Sequence, residues 1–183
     1  PRRSQAMMML IDAFLPEGVT RIAVDSIFMM PQLGVLSAVD EPGIEESAKR
    51  AAVEVFNKDC LIRLGTCISP VGEGKPGKVC LEIEGELPGG APIHQKFNYG
   101  DTAAFPFPFG DENAKLVLKP SRGFNVGAGP GKTLEAEVEG GTTGIVVDCR
   151  GRRPFSIPES AADRVAWLRR WTEALDAYPV LED

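Results

Sequence analysis

Glycine and proline recur at short intervals through the middle of this chain, and they limit the length of any helix or strand there. The 183 residues include 20 glycines and 15 prolines, and both residue types favour turns over regular structure. From about residue 57 to residue 148, the segments between these turns are short and alternate apolar with polar side chains. Such alternation is typical of half-buried strands. Six or so strands of this kind predict a small β-barrel or a β-sandwich.

The first 56 residues have a more helical character. Apolar residues cover more than one face of a helix that we predict over residues 4–15, as in a largely buried helix. Residues 21–25 form a predicted short strand. Pro31 then occupies the first turn of a second helix, and acidic residues favour a helix start near residue 45. The sequence therefore predicts an α/β segment over residues 1–56.

The last part of the chain predicts one more helix. Ser160 and Asp163 have the spacing of a capping box, with Asp in the place usually taken by Glu or Gln. Trp167 and Trp171 follow at helical spacing, and we expect both in the core. The predicted fold class is therefore α+β: the α/β segment, a small glycine-rich β-barrel or sandwich over residues 57–158, and a C-terminal helix over residues 159–183 that packs on the rest.

Two glycine-containing features of the β region predict local geometry. A turn at residues 88–90 separates two alternating segments, 78–84 and 93–99, which we expect to pair as a hairpin. Gly65 interrupts an otherwise apolar run, which predicts a β-bulge at that position.

Composition excludes several classes of function. The net charge of −6 argues against wide contact with nucleic acid, which needs concentrated lysine and arginine. No apolar run reaches the roughly 18 residues of a membrane span. The cysteines at positions 60, 67, 80 and 149 lack metal-binding spacing, and His94 is the single histidine. We therefore expect no metal, no catalytic residue, no nucleic-acid or membrane partner, and a cytoplasmic protein with reduced thiols.

The glycine-rich loop near residue 129 is the first candidate contact site. Gly127, Gly129, Gly131 and Lys132 superficially resemble a phosphate loop, but Val126 stands where a Walker A motif has its first glycine. The residues that follow alternate as a strand, whereas phosphate binding requires a helix N-terminus. Two interpretations stay open: a tight turn within the β domain, or a contact with a ligand or partner.

The second candidate contact site follows an apolar strand over residues 144–148. Asp148 ends this strand, and Arg150 and Arg152 come directly after it. The arginines could clamp a carboxylate or phosphate, since guanidinium groups bind such anions with two parallel hydrogen bonds. They could also pair with Asp148 or with the acidic surface. Of the two alternatives, the sequence favours this structural pairing.

Five characteristic stretches follow one another in an order that spans most of the chain. They are residues 8–20, 31–36, 64–70, 122–132 and 138–152. Together they resemble the C-terminal region of the accessory proteins of methylaspartate (glutamate) mutase. That family looks like an ATPase of the actin/Hsp70/sugar-kinase type with a C-terminal extension, and it is thought to protect or reactivate an adenosylcobalamin-dependent mutase.

The resemblance implies a non-catalytic structural or protein-interaction module with a chaperone-like role. Residues 1–56 would be the end of the ATPase core, and ATP would bind upstream residues only. The implied partners are the upstream ATPase domain of the same protein or a larger protein subunit, and the cobalamin-dependent mutase. Two alternatives stay open: a fragment or subunit of a hydantoinase/acetone-carboxylase-like enzyme, and a stand-alone β module that binds a small anionic ligand.

Overall fold

The computed structural model describes residues 2–88, 90–110, 112–152 and 158–177, and it shows a mixed α+β fold with four helices. The helices are α1 (Arg3–Phe14), α2 (Met30–Ser37), α3 (Glu45–Val55), which a π-helical segment (Phe56–Cys60) extends, and α4 (Ala161–Ala174). The strands are β1 (Gly18–Asp25), β2 (Leu61–Ser69), β3 (Val71–Gly72), β4 (Val79–Leu87), β5 (Ala91–Asn98), β6 (Thr102–Phe105), β7 (Ala114–Pro120), β8 (Phe124–Asn125), β9 (Leu134–Val138) and β10 (Gly144–Asp148). The predicted fold class is confirmed.

The described strands form three open sheets and do not close into a barrel. One four-stranded sheet has the order β1-β2-β10-β6, a second has the order β5-β4-β7-β9, and β3 pairs with β8 in a two-stranded sheet. In the first sheet β10 runs parallel to β2 and antiparallel to β6. The second sheet is antiparallel throughout.

One hydrophobic core joins the two four-stranded sheets. Ile68 and Ile145 enter it from the first sheet, and Ile83, Leu116 and Leu118 enter it from the second. The strand β10 is buried along its whole length, as expected for a central strand that is covered on both faces. The arrangement of two sheets over a shared core matches the sandwich alternative of the predicted β domain.

The predicted hairpin is present: β4 and β5 pair antiparallel, with Glu84 opposite His94. Gly65 lies inside the strand β2, directly opposite Gly144 of β10. A Cβ at Gly65 would overlap the carbonyl oxygen of Gly144. The glycine therefore permits the close approach of two backbones, and the bulge at this position stays a prediction.

The chain divides into two compact units. The larger unit contains Pro1–Ile22 and Leu64–Asp183, and the smaller unit contains Ala23–Arg63. The smaller unit holds α2, α3 and the π-helical segment around a small core of Leu33, Ala52 and Cys60. The compact units have their boundaries near residues 22 and 63. The domain boundaries at residues 56 and 158 that the sequence suggests stay a prediction.

The C-terminal helix begins where the sequence predicts. The Ser160 hydroxyl accepts the Asp163 backbone N–H at 3.4 Å, and the helix starts at Ala161. Trp167 and Trp171 are half-buried, so their expected place in the core is wrong. Trp171 instead donates its indole N–H to the Gly100 carbonyl at 2.9 Å, which places a polar side-chain atom at the edge of the sheet.

Candidate functional site

The glycine-rich loop is a closed turn between two strands. The Asn125 side-chain oxygen accepts the backbone N–H groups of Gly127 and Gly129, both at 2.8 Å. Gly131 donates its N–H to Phe124, and Lys132 donates its own to Gly129. The strand β9 follows at Leu134. The amides that would hold a phosphate in a helix-capped loop are therefore already bonded within the turn.

The backbone of this loop explains its glycines. Gly127, Gly129 and Gly131 have φ angles of +123°, +109° and +68°, which non-glycine residues rarely adopt. The Lys132 side chain is exposed and folds back over Gly129. Within the described part of the chain, Lys132 has no ion-pair partner. The loop thus presents one positive charge on a closed turn.

Asp148, Arg150 and Arg152 form a buried ionic cluster. The Asp148 carboxylate accepts from Arg150 Nε at 2.8 Å and from an Arg152 terminal nitrogen at 3.1 Å. Side-chain exposure is 1% for Asp148, 4% for Arg150 and 12% for Arg152. Asp12 of α1 joins the cluster through a 2.6 Å bond with Arg150. Among the described residues, each buried guanidinium group therefore faces at least one carboxylate, as burial of charges requires.

The cluster joins several elements of the larger unit. Arg152 donates to the Pro16 carbonyl and to the Ser69 hydroxyl at the end of β2. Ser69 in turn donates to the Asp148 carbonyl at 2.9 Å. The Arg150 guanidinium lies 5.2 Å from the Trp171 ring centre, within the range of a cation–π contact. The arginines therefore connect α1, β2, β10 and α4.

Burial and charge oppose each other at Arg150. Burial lowers the pKa of the Arg150 guanidinium, but the charges and hydrogen bonds of Asp148 and Asp12 raise it more, so the net pKa lies above its usual range. Arg150 therefore remains charged at any physiological pH. Within the described residues, no hydrogen bond or ion pair joins this cluster to the glycine-rich loop. The two predicted contact sites are thus built separately.

The cysteines have the properties of buried structural thiols. All four are free and buried. Burial raises the pKa of Cys67, and the negative charge of Asp148 raises it further. A hydrogen bond with Cys80, together with burial, raises the pKa of Cys149. A nucleophilic cysteine needs a lowered pKa and solvent access, so these thiols are poorly suited to covalent chemistry.

An open cleft of about 720 Å³ lies in the larger unit. Its walls come from the start of α1, residues 106–108, residues 141–143 and the end of α4. Arg2 in this cleft already pairs with Asp176 at 3.3 Å. The Thr143 hydroxyl, also in its wall, is buried and has no hydrogen-bond partner among the described residues. The mixed charges of the lining favour no single class of ligand.

The smaller unit carries a feature that the sequence reasoning missed. We call residues 27–36 the apolar segment; five of its large hydrophobic side chains are exposed: Ile27, Phe28, Met30, Val35 and Leu36. Phe28 is 81% exposed and Val35 76%. Single exposed apolar residues are ordinary, but a concentration of them indicates an interaction surface. The run of bulky residues between the predicted strand and helix was the available signal.

Asp25 fixes the start of the apolar segment. Its carboxylate accepts the backbone N–H groups of Met30 at 2.9 Å and of Ile27 and Met29 at 3.3 Å each. The Met30 bond is the main reason that the pKa of the Asp25 carboxyl is lowered. Phe28 lies within this turn at a positive φ of 57°. The exposed ring is therefore presented from a hydrogen-bonded turn rather than from a loose loop.

Comparison with known proteins identifies no relative of this chain. No family model, no curated protein and no solved structure matches the chain. Among the helices of the described residues, none is long and apolar enough to cross a membrane.

Proposed function

We propose that this chain is a non-catalytic protein-interaction module of an ATPase-type accessory protein that serves an adenosylcobalamin-dependent mutase. The family assignment in this proposal rests on the five stretches that resemble the mutase accessory proteins. The interaction role rests on the apolar segment of the smaller unit, which is the observation that carries the proposal.

The apolar segment has the chemistry of a protein contact. Aromatic and other large apolar side chains dominate binding energy at protein interfaces. The bonds from Asp25 hold the turn around Phe28 before any partner arrives, and such preorganisation lowers the entropy cost of binding. The smaller unit buries few apolar residues of its own, so its exposed ones are available to a partner.

The two predicted contact sites favour a role without nucleotide chemistry in this chain. The loop amides bond within their own turn, and the arginines pair with Asp148 and Asp12. Both observations support an ATP site elsewhere in the accessory protein. They give no support to the alternative of a stand-alone anion-binding module. The four free, buried thiols support a reducing, cytoplasmic location.

The binding experiment uses Phe28 and a matched control. Phe28→Ser removes the exposed ring of the apolar segment, and Phe14→Ser removes a ring of the larger unit that is 78% exposed. Biolayer interferometry would measure the binding of each chain to two purified partners: a glutamate-mutase-type enzyme and the ATPase core of a mutase accessory protein. We expect Phe28→Ser to weaken binding by about tenfold or more and Phe14→Ser to leave it near that of the original chain.

Three results would contradict the proposal. The first is that neither partner binds the unaltered chain. The second is that both serine variants bind as well as the unaltered chain. The third is micromolar binding of ATP by the chain alone in isothermal titration calorimetry, because it would place the nucleotide site here.

A further inference from the structure

The antiparallel sheet β5-β4-β7-β9 of the larger unit carries a cluster of metal-ligating side chains on the face that points away from the core. Glu82 and Glu84 alternate along β4, and both side chains point away from the core residues Leu81 and Ile83. His94 lies opposite Glu84 on the neighbouring strand β5. Side chains two residues apart on a strand share a face, and directly paired residues on adjacent strands lie side by side. The hairpin thus brings two carboxylates and one imidazole together.

The distances within this cluster match those around a small metal ion. His94 Nε2 lies 3.1 Å from Glu82 Oε1 and 3.5 Å from Glu84 Oε1. All three ligand atoms lie within 4.8 Å of one another. Nitrogen and oxygen ligands sit about 2.0–2.2 Å from a tetrahedral Zn²⁺, so they are about 3.4 Å from each other. The two distances from His94 lie close to this value.

We propose that Glu82, Glu84 and His94 form a binding site for a divalent transition-metal ion of the Zn²⁺ class. Three protein ligands leave a fourth position for water on the solvent side, where His94 is 69% exposed. An imidazole ligand favours Zn²⁺ over Mg²⁺ or Ca²⁺, which prefer oxygen ligands throughout. The site is independent of the apolar segment and of the proposed partner.

A lysine faces each carboxylate of the cluster. Lys119 Nζ bonds to Glu84 Oε2 at 2.5 Å, and Lys96 Nζ lies 3.8 Å from Glu82 Oε2. Each lysine therefore faces the carboxylate oxygen that does not point to His94. A hydrogen bond to the far side of a metal ligand orients it, as Lys119 does for Glu84. The two positive charges also weaken the attraction for a cation, so we expect micromolar rather than nanomolar affinity.

Isothermal titration with ZnCl₂ in a non-chelating reducing buffer tests the site on the full chain. We expect one ion per chain, and we expect His94→Gln and Glu84→Gln each to weaken Zn²⁺ binding by about tenfold or more. Glu86→Gln is the matched control, because Glu86 follows on the same face of β4, opposite Lys115 and Pro92. This control should bind Zn²⁺ like the unaltered chain. All three positions are on the solvent side, and circular dichroism would verify that each variant folds.

Titration with Co²⁺ separates this site from thiol binding. Coordination by one imidazole and carboxylates gives visible absorption bands without the ultraviolet charge-transfer band of a cobalt–thiolate bond. The proposal is overturned by a thiolate band, by failure of the unaltered chain to bind Zn²⁺, or by equal affinity in the unaltered chain and the His94→Gln variant.

Discussion

Asp148 shows how a single buried carboxylate can organise a whole region of the larger unit. Its two oxygens accept four hydrogen bonds from the backbone and side chain of Arg150 and from the side chain of Arg152. Each arginine then reaches a different element, α1 through Asp12 or β2 through Ser69. Removing one member of a buried ionic group leaves the others without compensation, and this loss is larger than the net value of the pairing.

Asp148→Asn tests how much stability is lost when one member of the buried ionic cluster loses its charge. The amide cannot balance two buried guanidinium groups, so we expect the free energy of unfolding to fall by about 3–5 kcal/mol. Urea denaturation followed by circular dichroism measures the change. Asp12→Asn is the control, because the Asp12 side chain is 41% exposed and solvent can replace part of its interaction. An equal loss in both variants would contradict the central role of Asp148.

The buried thiols predict a loss of stability in alkaline solution. Cys67 has a raised pKa because it is buried and lies near Asp148. In the unfolded chain its thiol ionises around the ordinary value of 9.0, whereas the folded chain keeps the proton. The unfolded chain therefore binds fewer protons above about pH 9, and unfolding becomes easier as the pH rises.

Urea denaturation between about pH 8.5 and about pH 10 measures this effect. Each such thiol adds a slope of up to about 1.4 kcal/mol per pH unit above the unfolded pKa. Cys67→Ala should lower the free energy of unfolding at every pH. It should also make the fall of that free energy with pH less steep, by the contribution of one thiol. A free energy of unfolding that is constant over this range, or an unchanged slope in the variant, would contradict the prediction.

At the scale of elements, the glycine-rich loop between β8 and β9 depends on one side chain. Asn125 accepts the two amides that the positive-φ glycines present to it. Asn and Asp side chains stabilise turns in this way because their oxygen reaches the backbone two residues ahead. The loop therefore combines flexible residues with a fixed shape.

Asn125→Ala should lower the free energy of unfolding by about 1 kcal/mol, because two backbone donors lose their acceptor and one side of the turn is open to water. Asn125→Asp retains an oxygen acceptor and should remain close to the original stability. Thermal melts compare the two variants. Equal losses would mean that the side-chain oxygen does not hold the turn.

Local pattern predicted the elements, but it could not predict how distant elements meet. The hairpin of β4 and β5 follows from alternation around a glycine turn, and its register brings Glu84 opposite His94. Combining that register with the strand pattern would have revealed the Glu82, Glu84 and His94 cluster from sequence. The parallel contact of Gly65 with Gly144 is different, because it joins residues that are far apart in the chain. Such pairings leave no short-range signal.

Over the whole molecule, the two compact units differ in how much apolar surface they bury. The core of the larger unit draws on both four-stranded sheets, whereas the smaller unit is centred on Leu33, Ala52 and Cys60. Regions with few buried apolar contacts open at lower free energy than the main core. Because the smaller unit has a small core, the side chains of the apolar segment stay exposed to solvent. The small core therefore explains both the lower expected stability of this unit and its exposed apolar surface.

Thiol labelling should therefore detect separate opening of the two units. Cys60 lies in the smaller unit and Cys67 in the larger, and both are buried. Both thiols are shielded from the reagent in the folded chain, with at most 1% exposure, so a large difference in labelling reports on opening. We expect maleimide to label Cys60 at least about tenfold faster than Cys67 under native conditions, as measured by mass spectrometry of peptides. Leu33→Ala should accelerate Cys60 alone; a single common rate, or acceleration of both thiols, would show that the units open together.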